Sequence, residues 1–188
     1  MAKVIIGFVG QLASGKDVCR KYLIDKYEAD STKFSKVLRD ILTRLYQPIT
    51  RESLQGISLN LRNHFGSDIL SRVVIEDIKL SPKNIMIIDG VRRLEDLDCL
   101  KEFPDLYLIS LNVDTKTRYE RTKLRNENIG DAEKTYEQFL IDGQREAEQE
   151  IPTVMAAAHY QIDNNGTFEE LYGQLDKIMA DINSRKNK

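Results

Sequence analysis

The chain has 188 residues, 41% hydrophobic and 31% charged, an ordinary balance for one globular unit with its own core. Its 28 Lys and Arg against 30 Asp and Glu give a formal charge of −2, which argues against a general duplex-DNA binder. No apolar run approaches the roughly 18 residues of a membrane span, Met1-Ala2-Lys3 is too short for a signal peptide, and Cys19, Cys99, His64 and His159 form no zinc or disulfide pattern. The expectation is a cytoplasmic protein in a reducing compartment.

Val4–Val9 is short, apolar and partly β-branched, so it reads as a buried strand, and residues 15–27 follow as a helix. A weaker strand is expected over Ser31–Phe34. Ser35 is expected to cap a helix running to about Tyr46, with Val37, Leu38, Ile41, Leu42 and Leu45 at helical spacing. Pro48 ends it, Thr50 caps the next helix, and Ser67–Leu80 forms another. Ile85–Ile88 is a second buried strand, ending in Asp89-Gly90. Leu94–Phe103 is a short helix, Leu106–Val113 a strand, and residues 115–127 a helix. Residues 126–150 are polar and hold too few apolar positions for a core element, so they read as a helical, mobile insert. Tyr160–Asp163 is a last strand, and Thr167-Phe168-Glu169-Glu170 is a capping box opening the C-terminal helix, with a frayed tail at 185–188. All four prolines are expected between elements. Strands alternating with helices imply a parallel sheet covered on both faces.

The first strand runs into Gly10-Gln11-Leu12-Ala13-Ser14-Gly15-Lys16-Asp17, the G-x-x-x-x-G-K pattern of a phosphate loop. Glycines let backbone amides turn inward, the following helix aims its positive end at the same point, and Lys16 adds a point charge. Gly10, Ala13, Ser14, Gly15, Lys16, Asp17 and Val18 are therefore the expected nucleotide-binding set. Asp17 stands where Ser or Thr usually holds Mg²⁺. It either takes that role, directly or through water, or only complements the helix N-terminus. Asp89 ends an apolar strand on the same sheet edge, so it is a candidate metal ligand or acceptor-orienting group, or simply a turn residue. Arg92 suits an anionic acceptor. Arg39 and Arg62 are candidates of the same kind, although Arg39 also fits an exposed ion-pair face. Arg118, Arg121 and Arg125 fall at i, i+3, i+7 on one helix face and fit a clamp on a triphosphate, Arg121 being central. The polar stretch after them would then be a lid that excludes water.

These residues resemble the P-loop kinases of the nucleoside monophosphate kinase group, and within it the deoxynucleoside monophosphate kinase and dephospho-CoA kinase-like proteins. The resemblance runs nearly end to end and is carried by Gly10–Asp17, Phe34–Arg39, Leu61–Gly66, Ile88–Arg92, Arg118–Arg125 and Ile162–Gly166. It implies an α/β three-layer P-loop NTPase fold in one domain, with an acceptor-binding helical region at 35–80 and a lid at 116–150. It implies ATP as donor, Mg²⁺ and a closing lid; on the residue reading above, Asp17 and Asp89 are the candidate ligands of that ion, and Lys16, Asp89 and Arg121 the candidate catalytic residues. Arg121, Arg125 and Asn165 would contact the nucleotide, with Asn164-Asn165-Gly166 near the adenine. By that likeness Arg39 and Arg92 would hold the phosphate of a small-molecule acceptor, with Ser35 and Arg62 as further candidates for the same site. Two departures matter. The second strand of dephospho-CoA kinases usually ends in an Asp, and here that stretch reads Lys33-Phe34-Ser35; nor does the loop end in their Ser or Thr. A phosphate acceptor needs positioning more than a base, so a nucleoside or deoxynucleoside monophosphate is the first expectation. Dephospho-CoA is the second, and a nucleotide-dependent switch or slow ATPase a third. A monomer or a homodimer is expected.

Overall fold

The computed structural model describes residues 3–125 and 132–186, with the side chains of residues 51, 125, 146, 147 and 186 outside the description. Its centre is a five-stranded parallel sheet in the order β2-β3-β1-β4-β5, formed by β1 (Val4–Val9), β2 (Asp30–Lys33), β3 (Ile85–Asp89), β4 (Leu106–Asn112) and β5 (Tyr160–Asp163). Side chains alternate between the faces of a strand, so β1 feeds two cores at once. Ile5 and Val9 join a cluster with α2 (Phe34–Arg44), α4 (Ile69–Leu80), α5 (Leu94–Leu100) and α9 (Ile151–Ala156). Val4, Ile6 and Phe8 join the opposite cluster with α1 (Lys16–Tyr27) and α10 (Phe168–Lys186). This is the three-layer α/β arrangement of the P-loop fold. Among the described residues, no helix is long and apolar enough to cross a membrane.

The register brings the functional ends of the strands together. Phe8 pairs with Asp89 across β1 and β3, and Lys33 pairs with Asp89 across β2 and β3. The C-terminal ends of β2, β3 and β1 therefore meet at one edge, where ligands bind in open parallel sheets.

The helical expectations need three corrections. Helix α2 begins at Phe34, with Lys33 at its N-cap and no side-chain cap, so Ser35 lies in the first turn rather than before it. Burial of Phe34 with Leu38 and Leu42 starts the helix two residues earlier than the polar cap signal suggests. Thr50 does cap α3 (Arg51–Phe65): its side chain accepts from the Ser53 backbone N–H while Ser53 returns to the Thr50 N–H. Pro152 is not between elements; it lies in the first turn of α9, where a missing N–H costs nothing. The insert is less polar than it reads. Between α6 (Thr115–Arg125) and α9 lie α7 (Tyr136–Asp142) and α8 (Glu146–Gln149), and Phe139 of α7 is 3% exposed, packed against Tyr119 with the Arg118 guanidinium over its ring. Residues 126–131 of the expected lid, and 187–188 of the expected tail, lie outside the described residues.

Candidate active site

The loop between β1 and α1 has the backbone that the glycine spacing demands. Gly15 sits at φ +97°, and a Cβ there would come within 2.3 Å of Asn164 Nδ2. A Cβ at Gly10 would come within 2.5 Å of Ser14 Oγ. Ala13 also takes a positive φ, 60°, a conformation that costs a non-glycine residue of order 1 kcal/mol and is held by its surroundings. Ser14 is fully buried. The Lys16 ammonium folds back over the loop and donates to the Gly10 carbonyl at 2.7 Å and the Gln11 carbonyl at 3.2 Å. Burial pushes it below its ordinary pKa, and Asp89 opposes that shift. A group desolvated this way gains most from a phosphate anion, which restores its counter-charge.

Asp17 and Asp89 come together through Lys33. Its Nζ lies 2.6 Å from Asp17 Oδ1 and 3.0 Å from Asp89 Oδ2. Arg20 approaches Asp17 from the far side at 3.5 Å. Burial disfavours the Lys33 ammonium, but Asp89 and Asp17 outweigh it and hold its pKa above the usual lysine value. Two hard carboxylate donors converging on one cation suit Mg²⁺, which takes one or two carboxylates and completes its shell with phosphate oxygens and water. Among the described residues no group of three His, Cys, Asp or Glu side chains comes together as a metal site.

A cleft of about 330 Å³ opens beside the loop, within the size range of ligand pockets. Ser35, Arg39, Arg62 and Arg92 all line it, together with Lys16, Asp17, Lys33 and Asp89. Their engagement differs. Among the described residues, Arg39 has neither a hydrogen bond nor an ion pair. Arg62 is largely buried, donates to the Ser67 carbonyl at 2.5 Å, and lies 3.6 Å from the buried Asp96, so part of its capacity is spent on structure. Arg92 Nη1 is paired with Glu148 Oε1 of α8 at 2.6 Å. Asp142 and Arg145, from the end of α7 and the turn after it, line the same cleft, so the insert lies across it.

A second cleft flanks the loop on the β4–β5 side. Val18, Arg121, Leu124, Asn164, Gly166 and Phe168 are among its lining residues. Arg121 Nη2 donates to the Asn164 carbonyl at 2.9 Å, while its Nη1 is buried and has no partner among the described residues. A buried guanidinium nitrogen left without an acceptor is costly unless a ligand supplies one. Arg118 is 7% exposed and reaches the loop itself, donating to the Leu12 carbonyl at 3.4 Å. The side chain of Arg125 lies outside the described residues.

Three residues carry more of the site than their sequence positions suggested. Asn164 is buried at 5% exposure, and its Nδ2 donates to the Ser14 carbonyl at 2.8 Å, tying the turn after β5 to the phosphate loop. Asn165 instead spends its side chain on the Asp114 N–H and on Asp163. The family resemblance points to Asn164-Asn165-Gly166 as a nucleotide-contacting turn but names Asn165 rather than Asn164. Lys33 stood out solely as a departure at the end of β2. Glu148 sits in a polar run with no distinguishing signal.

No family model matches the chain. Among solved structures, shikimate kinase from Bacteroides thetaiotaomicron superimposes with a TM-score of 0.64 at 14% identity, covering 94% of this chain and 97% of that one. Shikimate kinase from Acinetobacter baumannii in complex with shikimate does so with a TM-score of 0.56 at 18% identity, covering 99% and 96%. The fold is thus that of the P-loop kinases, and the likeness does not single out the nucleoside monophosphate kinase group. Two curated sequences align over almost their whole length. The UPF0200 protein of Thermococcus kodakarensis is 26% identical over 187 residues, covering 97% of this chain and all of that one. The UPF0200 protein of Staphylothermus marinus is 30% identical over 172 residues, covering 92% and 89%, and by that relationship the chain belongs to the UPF0200 family.

Proposed function

We propose that the protein is an ATP-dependent small-molecule kinase whose acceptor carries a phosphate group, a nucleoside or deoxynucleoside monophosphate being the first choice. One observation carries the reading: the cleft that begins at the phosphate loop continues into a wall bearing Arg39, Arg62, Arg92 and Arg93. A site that only hydrolysed ATP has no use for such a wall, whereas a phosphate-bearing acceptor neutralises it and is oriented by it.

The donor's β- and γ-phosphates would lie in the loop under Lys16 and the N-terminus of α1. Its base would enter the second cleft, where the unpartnered Arg121 Nη1 offers a donor. Asp17 and Asp89 would hold Mg²⁺, which supplies charge neutralisation between the phosphates. Arg92 would turn its guanidinium from Glu148 to the acceptor phosphate, and Arg39 would meet the same group. Helices α7 and α8 would keep water from the transferring phosphoryl group. A phosphate oxygen of the acceptor is already anionic near neutral pH and attacks without a general base. The end of β2 offers a lysine rather than a carboxylate, which favours that acceptor over the ribose hydroxyl of dephospho-CoA.

The test is an acceptor panel with ATP and Mg²⁺, read by mass detection of phosphorylated product. It should include ribo- and deoxynucleoside monophosphates, dephospho-CoA and shikimate, the last because the structural neighbours are shikimate kinases. Transfer to a monophosphate, abolished by Lys16→Met, is expected. ATP hydrolysis with no phosphorylated product from any acceptor refutes the reading.

A further inference from the structure

Lys33 occupies the point where the two best metal-ligand candidates converge. Its ammonium is within charge-assisted hydrogen-bond distance of both, 2.6 Å from Asp17 and 3.0 Å from Asp89. The arrangement is fixed by the backbone. Lys33 and Asp89 are register partners on adjacent parallel strands, and Asp17 lies in the first turn of α1 beside them. Asp89 is only 8% exposed, so a carboxylate there needs a counter-charge at all times.

We propose that Lys33 is a resident counter-ion for this carboxylate pair, and that a divalent cation and the Lys33 ammonium occupy the seat by turns. The inference rests on the nucleotide-kinase reading for its use, though not for its test. The two cations need the same carboxylate oxygens and repel each other, so the seat takes one at a time. When the divalent ion arrives, the lysine must leave, and its flexible stem carries the charge no further than its neighbourhood. That neighbourhood is the first cleft, where Lys33 sits in the wall with Ser35, Arg39 and Arg92. The displaced ammonium adds a positive charge to the acceptor side at the moment the metal is loaded. Metal binding and the binding of an anionic acceptor are thereby coupled, and the coupling is reciprocal. Lys33 acts in this as a positioning residue. Before the metal arrives it keeps Asp17 and Asp89 paired and oriented, and afterwards it faces the acceptor.

Mn²⁺ serves as the spectroscopic probe. Its affinity for the nucleotide-free protein is measured by the electron paramagnetic resonance of free ion, for wild type and Lys33→Met. The variant should bind Mn²⁺ at least about tenfold more tightly, because no ammonium competes for the carboxylates. Mn²⁺ should also raise its melting temperature more than that of wild type. An equal or weaker affinity overturns the proposal. Since the variant leaves two carboxylates facing each other and can lose stability for that reason alone, a second measurement uses the unaltered chain. Lysine acetylation is followed by mass spectrometry with and without saturating Mn²⁺, with the exposed Lys36 as internal reference. Lys33 should become severalfold more reactive with the ion present, and an unchanged rate overturns the proposal. Neither readout involves phosphoryl transfer. A failed acceptor panel alongside positive Mn²⁺ results therefore counts against the kinase reading and leaves the exchange standing.

Discussion

Asn164 offers the sharpest test of how the site is built. Its side-chain amide donates to the Ser14 carbonyl at 2.8 Å, inside the phosphate loop, and its own backbone carbonyl accepts from Arg121 at 2.9 Å. Replacing it with alanine removes the link that the Asn164 side chain supplies and leaves the backbone carbonyl that Arg121 uses. The Ser14 carbonyl is then buried without the donor it had, a loss of about 1–3 kcal/mol, and the missing atoms leave a small void that adds about 1 kcal/mol. The sum is roughly 2–4 kcal/mol. For a chain of this size a kilocalorie moves the melting temperature by about 2–4 °C, so Asn164→Ala should melt on the order of 4–16 °C lower by circular dichroism. Nucleotide binding should weaken with it, because the loop loses its tether to the turn after β5. Asn164→Asp should be no better, since a carboxylate aimed at a carbonyl oxygen cannot donate. A melting temperature within a degree of wild type, together with unchanged affinity for an ATP analogue, would refute the claim that this bridge shapes the loop.

Two further outcomes follow from other parts of the molecule. Glu148 competes with any anion for Arg92, to which it is bound at 2.6 Å; Glu148→Gln should lower the KM for a phosphate-bearing acceptor by about two- to fivefold, roughly what one partly exposed ion pair is worth, with kcat nearly unchanged, and a raised KM contradicts this account. Burial pushes the Cys19 thiol from 9.0 to about 12. The native state therefore keeps a proton that the unfolded chain loses, and stability falls as pH rises between 9 and about 12. Denaturant titrations should show that loss in wild type, at up to about 1.4 kcal/mol per pH unit, and a flatter profile in Cys19→Ala; parallel profiles would sink the assignment.

Much of this architecture can be read from local pattern because local pattern is what determines it. β1, β3 and β4 are largely apolar and buried on both faces, with polar residues at Asp89, Ser110 and Asn112 toward the C-terminal ends of β3 and β4, and the loop after β1 needs its glycines for backbone reasons alone. Two kinds of feature escape such reading. One is an element whose apolar positions are few but fully used: α9 rests on Ile151 and Val154, both essentially buried, beside a proline that looked like a break. The other is chemistry made by juxtaposition. Lys33 and Asp89 are 56 positions apart and become neighbours only through strand register, and Asn164 reaches Ser14 across 150 residues. Arg92 could be picked out as an anion ligand, but its partner Glu148 could not, because nothing in a charged run says which carboxylate folds back over the cleft.

The two clefts have a consequence for ligand design. They lie on opposite flanks of the phosphate loop and share Ala13, Gly15 and Asp17 in their walls, while their other lining residues differ. A single molecule can therefore fill both if its halves are joined over the loop. Tethering turns the second binding event into an intramolecular one, so the linked compound should exceed either half in affinity by orders of magnitude when its linker matches the span, and fall back when it is too short. A series of such compounds, graded by linker length, is a molecular ruler laid across the site, with the length of best fit reporting the separation of its two ends.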